Sequence, residues 1–467
     1  MTRTTPLDDA PEVCRLDAAT LARHYADGTL SPVEVTDATL QRVVDIQSRT
    51  LAFSFLDVSA ARAAAQESER RRRRGSALGP IDGVPVTIKD IVWVRGWTIR
   101  YGTRALPGFE APEDAPAVAL LRAAGAILLG LTTTPEFGWK AVTDNTSVGI
   151  TRNPWNPART AGGSSGGAAV AAACGAGVLH LGTDGGGSIR IPAAFCGVVG
   201  HKPTFGRVPA FPASPFGTVA HLGPIARTVA DAALMLHAMS GRDLRDWYQS
   251  PWPLPPVAPL PEVGLRGLRV GVWDTPPRGP VAPDVEACFG RALDAMAEAG
   301  ALPTPILLPE DDLWDLFRLH WYSGAAARLA SVPEEARGKV DAGLREIAAE
   351  GARISAPELM AAQARRAAFG AAFEQMLAGY DVLVSPAVGV TAFAAGQEVP
   401  PGSHLTRWTE WAGFSYPVNL AQAPATVVPC GFDDDGMPIG LQVVGRRGAD
   451  AAVLAVAASL HALLAPQ

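Results

Sequence analysis

The stretch 178–197, VLHLGTDGGGSIRIPAAFCG, joins a short apolar run to three consecutive glycines and a serine. Val178 to Gly182 reads as a buried strand, and Thr183-Asp184-Gly185-Gly186-Gly187-Ser188-Ile189-Arg190 follows with no spacer. Glycines adopt backbone angles closed to other residues, so successive N–H groups here can point at one spot. A hydroxyl ending such a nest attacks a carbonyl while the same amides hold the developing negative oxygen. Ser188 is therefore the expected nucleophile. The competing reading is a phosphate cradle, but no GK[ST] closes the turn and no GxGxxG with a following ribose-binding acid is present.

A second glycine-flanked serine lies upstream in Ala161-Gly162-Gly163-Ser164-Ser165-Gly166-Gly167. Its GGSSG core matches the GxSxG nucleophile elbow, yet an elbow needs a strand directly before it. The preceding Asn153-Pro154-Trp155-Asn156-Pro157 can be neither strand nor helix. The small-residue run Ala168 to Cys174 that follows predicts a tightly packed helix. Further upstream, Gly83 to Ile88 (GVPVTI) reads as a strand whose carboxyl end delivers Lys89 and Asp90. A helix over 115–124 and an apolar strand over 126–131 continue an alternation typical of α/β architecture.

Towards the amino terminus, Ser31-Pro32-Val33-Glu34 carries a capping box with proline at the first helical position. Five arginines, Arg70 to Arg74, close a second helix and read as its solvated end. Towards the carboxyl terminus, a proline-rich stretch from Trp247 to Pro261 precedes a strand at 268–272. Helices then dominate to about Leu377. Strands return at 381–385, 425–429 and 439–444, with a terminal helix from Asp450.

Composition sets bounds on function. With 40 basic against 46 acidic side chains and a formal charge of -6, the 467-residue chain lacks the balance of a nucleic-acid binder. The five cysteines, Cys14, Cys174, Cys196, Cys288 and Cys430, show no CxxC spacing, so neither a disulfide framework nor a zinc site is expected. The sequence shows no secretory h-region and no apolar run of membrane-spanning length. A cytoplasmic protein with no membrane partner is the expectation.

A serine nucleophile needs a base. Of the eight histidines, His201 and His221 are nearest in sequence, and neither sits in a pattern that announces a Ser-His-Asp arrangement. Lysine occurs only at Lys89, Lys140, Lys202 and Lys339, arginine supplying every other cation. Arginine cannot serve as a base, so a lysine kept in such a chain merits attention. A lysine buried at the end of an apolar strand loses its charge by desolvation, and Lys89 is so placed. Lys202 reads as a brace against loop carbonyls, Lys140 and Lys339 as surface or pocket-rim lysines.

Together the segments GVPVTIKD (83–90), GGSSGG (162–167), GTDGGGSIRIPAAFCG (182–197), KPTFGR (202–207) and PIGLQ (438–442) resemble the amidase signature family. The resemblance spans nearly the whole chain. It implies an α/β fold with a large mixed, twisted sheet covered on both faces by helices. It also implies a single domain over 1–467, with a catalytic core at about 75–240 and a variable, substrate-shaping helical region at about 247–415. The chemistry it implies is a Ser-cisSer-Lys triad. Ser188 attacks, Ser164 in a cis Gly163–Ser164 peptide relays the proton, and Lys89 is the final base. An oxyanion hole from the amides of Gly185, Gly186, Gly187 and Ser188 is likewise implied, with Thr183, Asp184 and Arg190 in support. At Gly185 the family more commonly has threonine, a departure that leaves the amide in place.

The implied reaction is hydrolysis of a small amide, anilide or carbamate through an acyl-enzyme, without metal or cofactor, by a monomer or homodimer. The alternative within the family is a glutamine-dependent amidotransferase of the A type, which passes ammonia to a partner. The variable half is unusually aromatic, with Trp314, Trp321, Tyr322, Trp408, Trp411, Phe414 and Tyr416. Trp314, Trp321 and Trp411, together with Phe137 and Trp139, are the expected pocket residues, core packing being the competing reading for each.

Overall fold

The computed structural model describes residues 5–250 and 253–464. The first four positions, two positions of the proline-rich stretch and the last three lie outside them. Eleven strands form one mixed sheet. In chain order they are β1 (Phe53–Leu56), β2 (Pro85–Lys89), β3 (Ile127–Thr132), β4 (Leu179–Asp184), β5 (Val199–Lys202) and β6 (His221–Ala226). The remainder are β7 (Arg269–Val272), β8 (Leu302–Pro305), β9 (Val382–Pro386), β10 (Ala425–Phe432) and β11 (Pro438–Val444). Across the sheet they run β1-β3-β2-β4-β6-β5-β10-β11-β9-β7-β8.

Pairing is parallel among β3, β2 and β4 and again among β9, β7 and β8, and antiparallel between these two blocks. Alternation along β9 shows how the sheet is covered. Leu383 enters one apolar cluster, with the helices over 166–173, 190–196 and 313–330, while Val382 and Val384 enter a second, with helices over 229–239 and 450–464. Successive side chains of a strand point to opposite faces, so each face carries its own helical layer.

Local signals account for most elements. Ser31 and Glu34 form the reciprocal capping box at the head of the helix Pro32–Thr50. The helix Gly166–Ala173 is buried on every side. Small side chains let its backbone approach Ala52 and Thr133 at the ends of neighbouring strands. Strands β1, β5, β6 and β8 had no clear sequence signal. Leu302–Pro305 carries two prolines, tolerated because β8 is the sheet's edge. Pro224 sits inside β6, where pairing to β5 extends only over Ile225 and Ala226.

Candidate active site

Parallel neighbours β2 and β4 end side by side, and this registers their terminal side chains in one place. Lys89 closes β2, and Thr183 and Asp184 close β4. The Lys89 amine is fully buried and donates to Ser164 Oγ at 2.6 Å, Thr183 Oγ1 at 2.9 Å and Ser165 Oγ at 3.0 Å. Burial pushes its pKa well below the usual lysine value, and Asp184 pushes back only in part. No carboxylate bonds to the amine among the described residues, so its three partners are all neutral hydroxyls. A neutral amine has two donors and one lone pair, so one of those hydroxyls can donate to it.

Ser165 had no sequence signal of its own beyond adjacency to Ser164. Its Oγ donates to the Thr183 carbonyl and accepts from the Thr183 amide, both at 3.2 Å. This ties the glycine-serine loop to β4. The Gly163–Ser164 peptide is cis.

The loop after β4 is built on Asp184. Its carboxylate accepts from Gly187 N at 2.8 Å, Ile189 N at 3.2 Å, Asn419 Nδ2 at 2.9 Å and both Nε and Nη2 of Arg190 at 2.9 Å. Arg190 in turn donates to Gln442 Oε1 and Asn419 Oδ1 at 2.6 Å and to the Ser415 carbonyl at 3.0 Å. Burial alone would raise the Asp184 carboxyl, but Arg190 and, behind it, Lys202 hold it far below the usual carboxylate range. A fully buried pair with every lone pair used is a rigid platform, the condition under which a buried ion pair holds geometry.

This platform corrects one expectation. The Gly187 N–H is committed to Asp184, which leaves the amides of Gly185, Gly186 and Ser188 without an acceptor among the described residues. The glycines themselves are required by space. A Cβ at Gly185 would stand 2.7 Å from Trp321, one at Gly186 2.7 Å from Phe317 and 2.8 Å from Trp408, and one at Gly187 2.6 Å from Ser415. Gly187 also has φ +120°, a conformation that side chains rarely adopt. Trp321 thus fills the room in which a threonine at 185 would place its side chain.

Ser164 and Ser188 both face a cavity of about 340 Å³, within the range of small-molecule sites. Ser188 Oγ makes no hydrogen bond among the described residues. Phe137 and Trp321 line the cavity as expected pocket residues, and Trp321 stacks on Phe216 with ring centroids 3.9 Å apart. Trp139, Trp314 and Trp411 do not line it. Trp139 is buried against Gly343, and Trp411 is buried beside Phe195, its Nε1 on the Glu398 carbonyl. Trp314 packs beneath Arg278 at 4.6 Å. The cavity walls come mostly from 91–101 and 203–222, and the stretch 247–415 contributes Tyr248, Trp321 and Arg328. Aromatic density there is core, backing the glycine loop.

The other cations fall into different roles. Lys140 is not a surface lysine: it is 7% exposed and held between Asp144 and Asp341 at 2.5 and 3.1 Å. Lys202 is fully buried and donates to the carbonyls of Ala423 and Pro203. His201 is fully buried, bonded to Thr426 and Asp450, and does not line the cavity. His221 does line it, but its Nδ1 faces the carbonyls of Val219 and Asp184 and its Nε2 faces Lys202.

Known proteins share this chain's sequence pattern and fold. The sequence profile of the Amidase family matches residues 34–454, and the chain belongs to that family of amidase signature hydrolases. An acylamidase of Rhodococcus erythropolis is 38% identical over 458 residues, covering 96% of this chain and 95% of its own. The A-type subunit of the glutamyl-tRNA(Gln) amidotransferase of Chloroflexus aggregans is 36% identical over 462 residues, 92% of this chain and 93% of its own. Among solved structures, a bacterial aryl acylamidase of the amidase signature family superposes with a TM-score of 0.88 at 29% identity, covering 96% of both chains. The 6-aminohexanoate cyclic dimer hydrolase, solved with its substrate, gives 0.86 at 30% identity over 98% of both chains.

Proposed function

We propose that this chain hydrolyses a small amide with an apolar or aromatic part, an anilide or carbamate included, through an acyl-enzyme on Ser188. The observation that carries this reading is the fully buried Lys89 amine, surrounded by hydroxyls and depressed by burial, next to the cavity. In the reaction, Ser188 Oγ attacks the carbonyl carbon as its proton passes to Ser164 and the Ser164 proton passes to the neutral Lys89 amine. The carbonyl oxygen becomes an oxyanion that the free amides of Gly185, Gly186 and Ser188 can hold. Collapse breaks the C–N bond, the leaving amine takes the proton back through Ser164, and water then releases the acid by the same relay. An ester forms a comparable tetrahedral adduct and meets the same donors.

The test is turnover by the purified chain alone on para-nitroanilides, aliphatic amides, aryl carbamates and glutamine. Anilide or carbamate hydrolysis that disappears in Ser188→Ala and Lys89→Ala supports the reading. Full activity in Lys89→Ala would overturn the lysine base. Activity on glutamine alone would point to the amidotransferases among the relatives.

A further inference from the structure

Arg328, on the helix Leu313–Ala330, is the lone lysine or arginine among the described residues that line the cavity. Its guanidinium lies 5.1 Å from the Phe137 ring centroid and 5.6 Å from that of Tyr101. Its Nε is buried with no hydrogen-bond partner, and no carboxylate or carbonyl of a described residue accepts from either Nη. Other enclosed arginines are matched: Arg42 has Asp9, Arg190 has Asp184, Arg318 has Asp315 and Glu350, and Arg366 has Thr218 and the Leu420 carbonyl. Asp246, the acid that lines the same cavity, does not compensate Arg328. Its two oxygens accept from the amides of Ala210 at 2.9 Å and Tyr248 at 2.8 Å.

A guanidinium held between aromatic rings without an acceptor has lost hydration that cation–π contact restores only in part. Burial pushes its pKa down and only Tyr101 pushes it back up, which agrees with the lack of a nearby carboxylate. The slot is close to the reacting groups. A Cβ at Gly138 would stand 3.3 Å from Ser164 Oγ, and Phe137, the residue before it, lines the same cavity as Ser164, Ser188 and Arg328. The planar fork of a guanidinium suits an oxyanion bound through two oxygens, and a carboxylate is the group of this kind that a small amide substrate most simply carries.

We infer that Arg328 is the anion-recognising end of the cavity, and that the chain prefers amides or carbamates carrying a carboxylate at one end. This deepens the hydrolase reading and rests on it for the identity of the reacting bond. Two matched pairs test it, one for each side of the scissile bond: para-acetamidobenzoate against para-methylacetanilide, and the mono-para-nitroanilide of adipic acid against that of heptanoic acid. In at least one pair the acid is favoured in kcat/KM by about ten- to hundredfold, the range of a charge-assisted hydrogen bond. Arg328→Gln brings that ratio near one, and Arg328→Lys, which keeps the charge, retains part of it. A merely structural arginine would not move the ratio and would not be rescued by charge.

Calorimetric binding of the same four compounds to Ser188→Ala, with and without Arg328→Gln, reads the preference without turnover. If the acids bind more tightly through Arg328 while the parent chain turns over none of the compounds, the anion site stands and the hydrolase reading falls. If the neutral anilides are cleaved through Ser188 but neither pair shows an acid preference in turnover or binding, the hydrolase reading stands and this inference is overturned. An acid preference that survives Arg328→Gln also overturns it.

Discussion

Lys89 and Lys202 are both fully buried, both close strands of the same sheet, and in both burial pushes the amine well below the usual lysine pKa. What surrounds them differs. Lys89 meets three hydroxyls, two of them on residues that line the cavity, Ser164 and Thr183. Lys202 meets two carbonyl oxygens and the ring of His221. A hydroxyl both gives and takes a proton, whereas a carbonyl only accepts a hydrogen bond. Under the proposed reading, two lysines with the same burial are thus a proton relay in one place and a brace in the other. The pKa direction alone would not have told them apart; the chemistry of the partners does.

The comparison breaks most visibly under substitution to methionine. Lys89→Met is expected to lower kcat/KM by about ten-thousandfold or more, the scale seen when one member of a catalytic unit is removed. Lys202→Met should cost stability instead, about 1–3 kcal/mol for carbonyls left without a donor, read by denaturant unfolding. Activity per folded molecule should fall far less than in the Lys89 variant. Should the two variants behave alike, the distinction between relay and brace fails.

Next in size is the contact that replaces the family's common threonine. Gly185→Thr drives a side chain into Trp321, and overpacking of that kind costs about 1–3 kcal/mol. The expected result is a kcat loss of about ten- to hundredfold, partly restored by Trp321→Leu in the same chain. A loss that Trp321→Leu does not relieve would mean that the ring is not what excludes the side chain. Ser165→Ala sharpens the relay side with a smaller effect. It removes one of three acceptors around Lys89, and about a tenfold fall in kcat is expected, with the Thr183 amide losing its partner as well.

The smallest effects are in pH. The neutral amine is the acceptor, so kcat/KM for a neutral anilide should fall as pH drops through the lowered Lys89 value, with a limb below lysine's ordinary 10.5. Stability follows the same sign. A group with its folded pKa below its unfolded one binds fewer protons when folded, so its contribution is greatest above the unfolded value and is lost as pH falls towards the folded one. Lys89→Met should therefore flatten the rise in unfolding free energy on the alkaline side, in the pH range just below lysine's ordinary 10.5. Equal slopes in the two proteins would contradict a neutral buried amine.

The sequence by itself determined the local parts of this site. A strand end at Lys89, a serine after three glycines and a second serine in a glycine cluster are requirements of backbone conformation and short-range spacing, and such requirements are written in contiguous residues. The resemblance to the amidase signature family was legible for the same reason, since it rests on those segments. Tertiary structure alone decided the rest. The Gly187 amide belongs to Asp184 because Arg190 and, from a distant segment, Asn419 hold that carboxylate in place, while Gln442 holds Arg190 from behind. Ser165 faces Lys89 because β2 and β4 lie side by side. Trp321 lines the cavity while Trp411 and Trp139 fill the core, and Arg328 has no hydrogen-bond acceptor among the described residues, unlike Arg42, Arg190, Arg318 and Arg366. Composition counts aromatic and charged side chains, but which of them face a void is set by how faces far apart in the chain pack together.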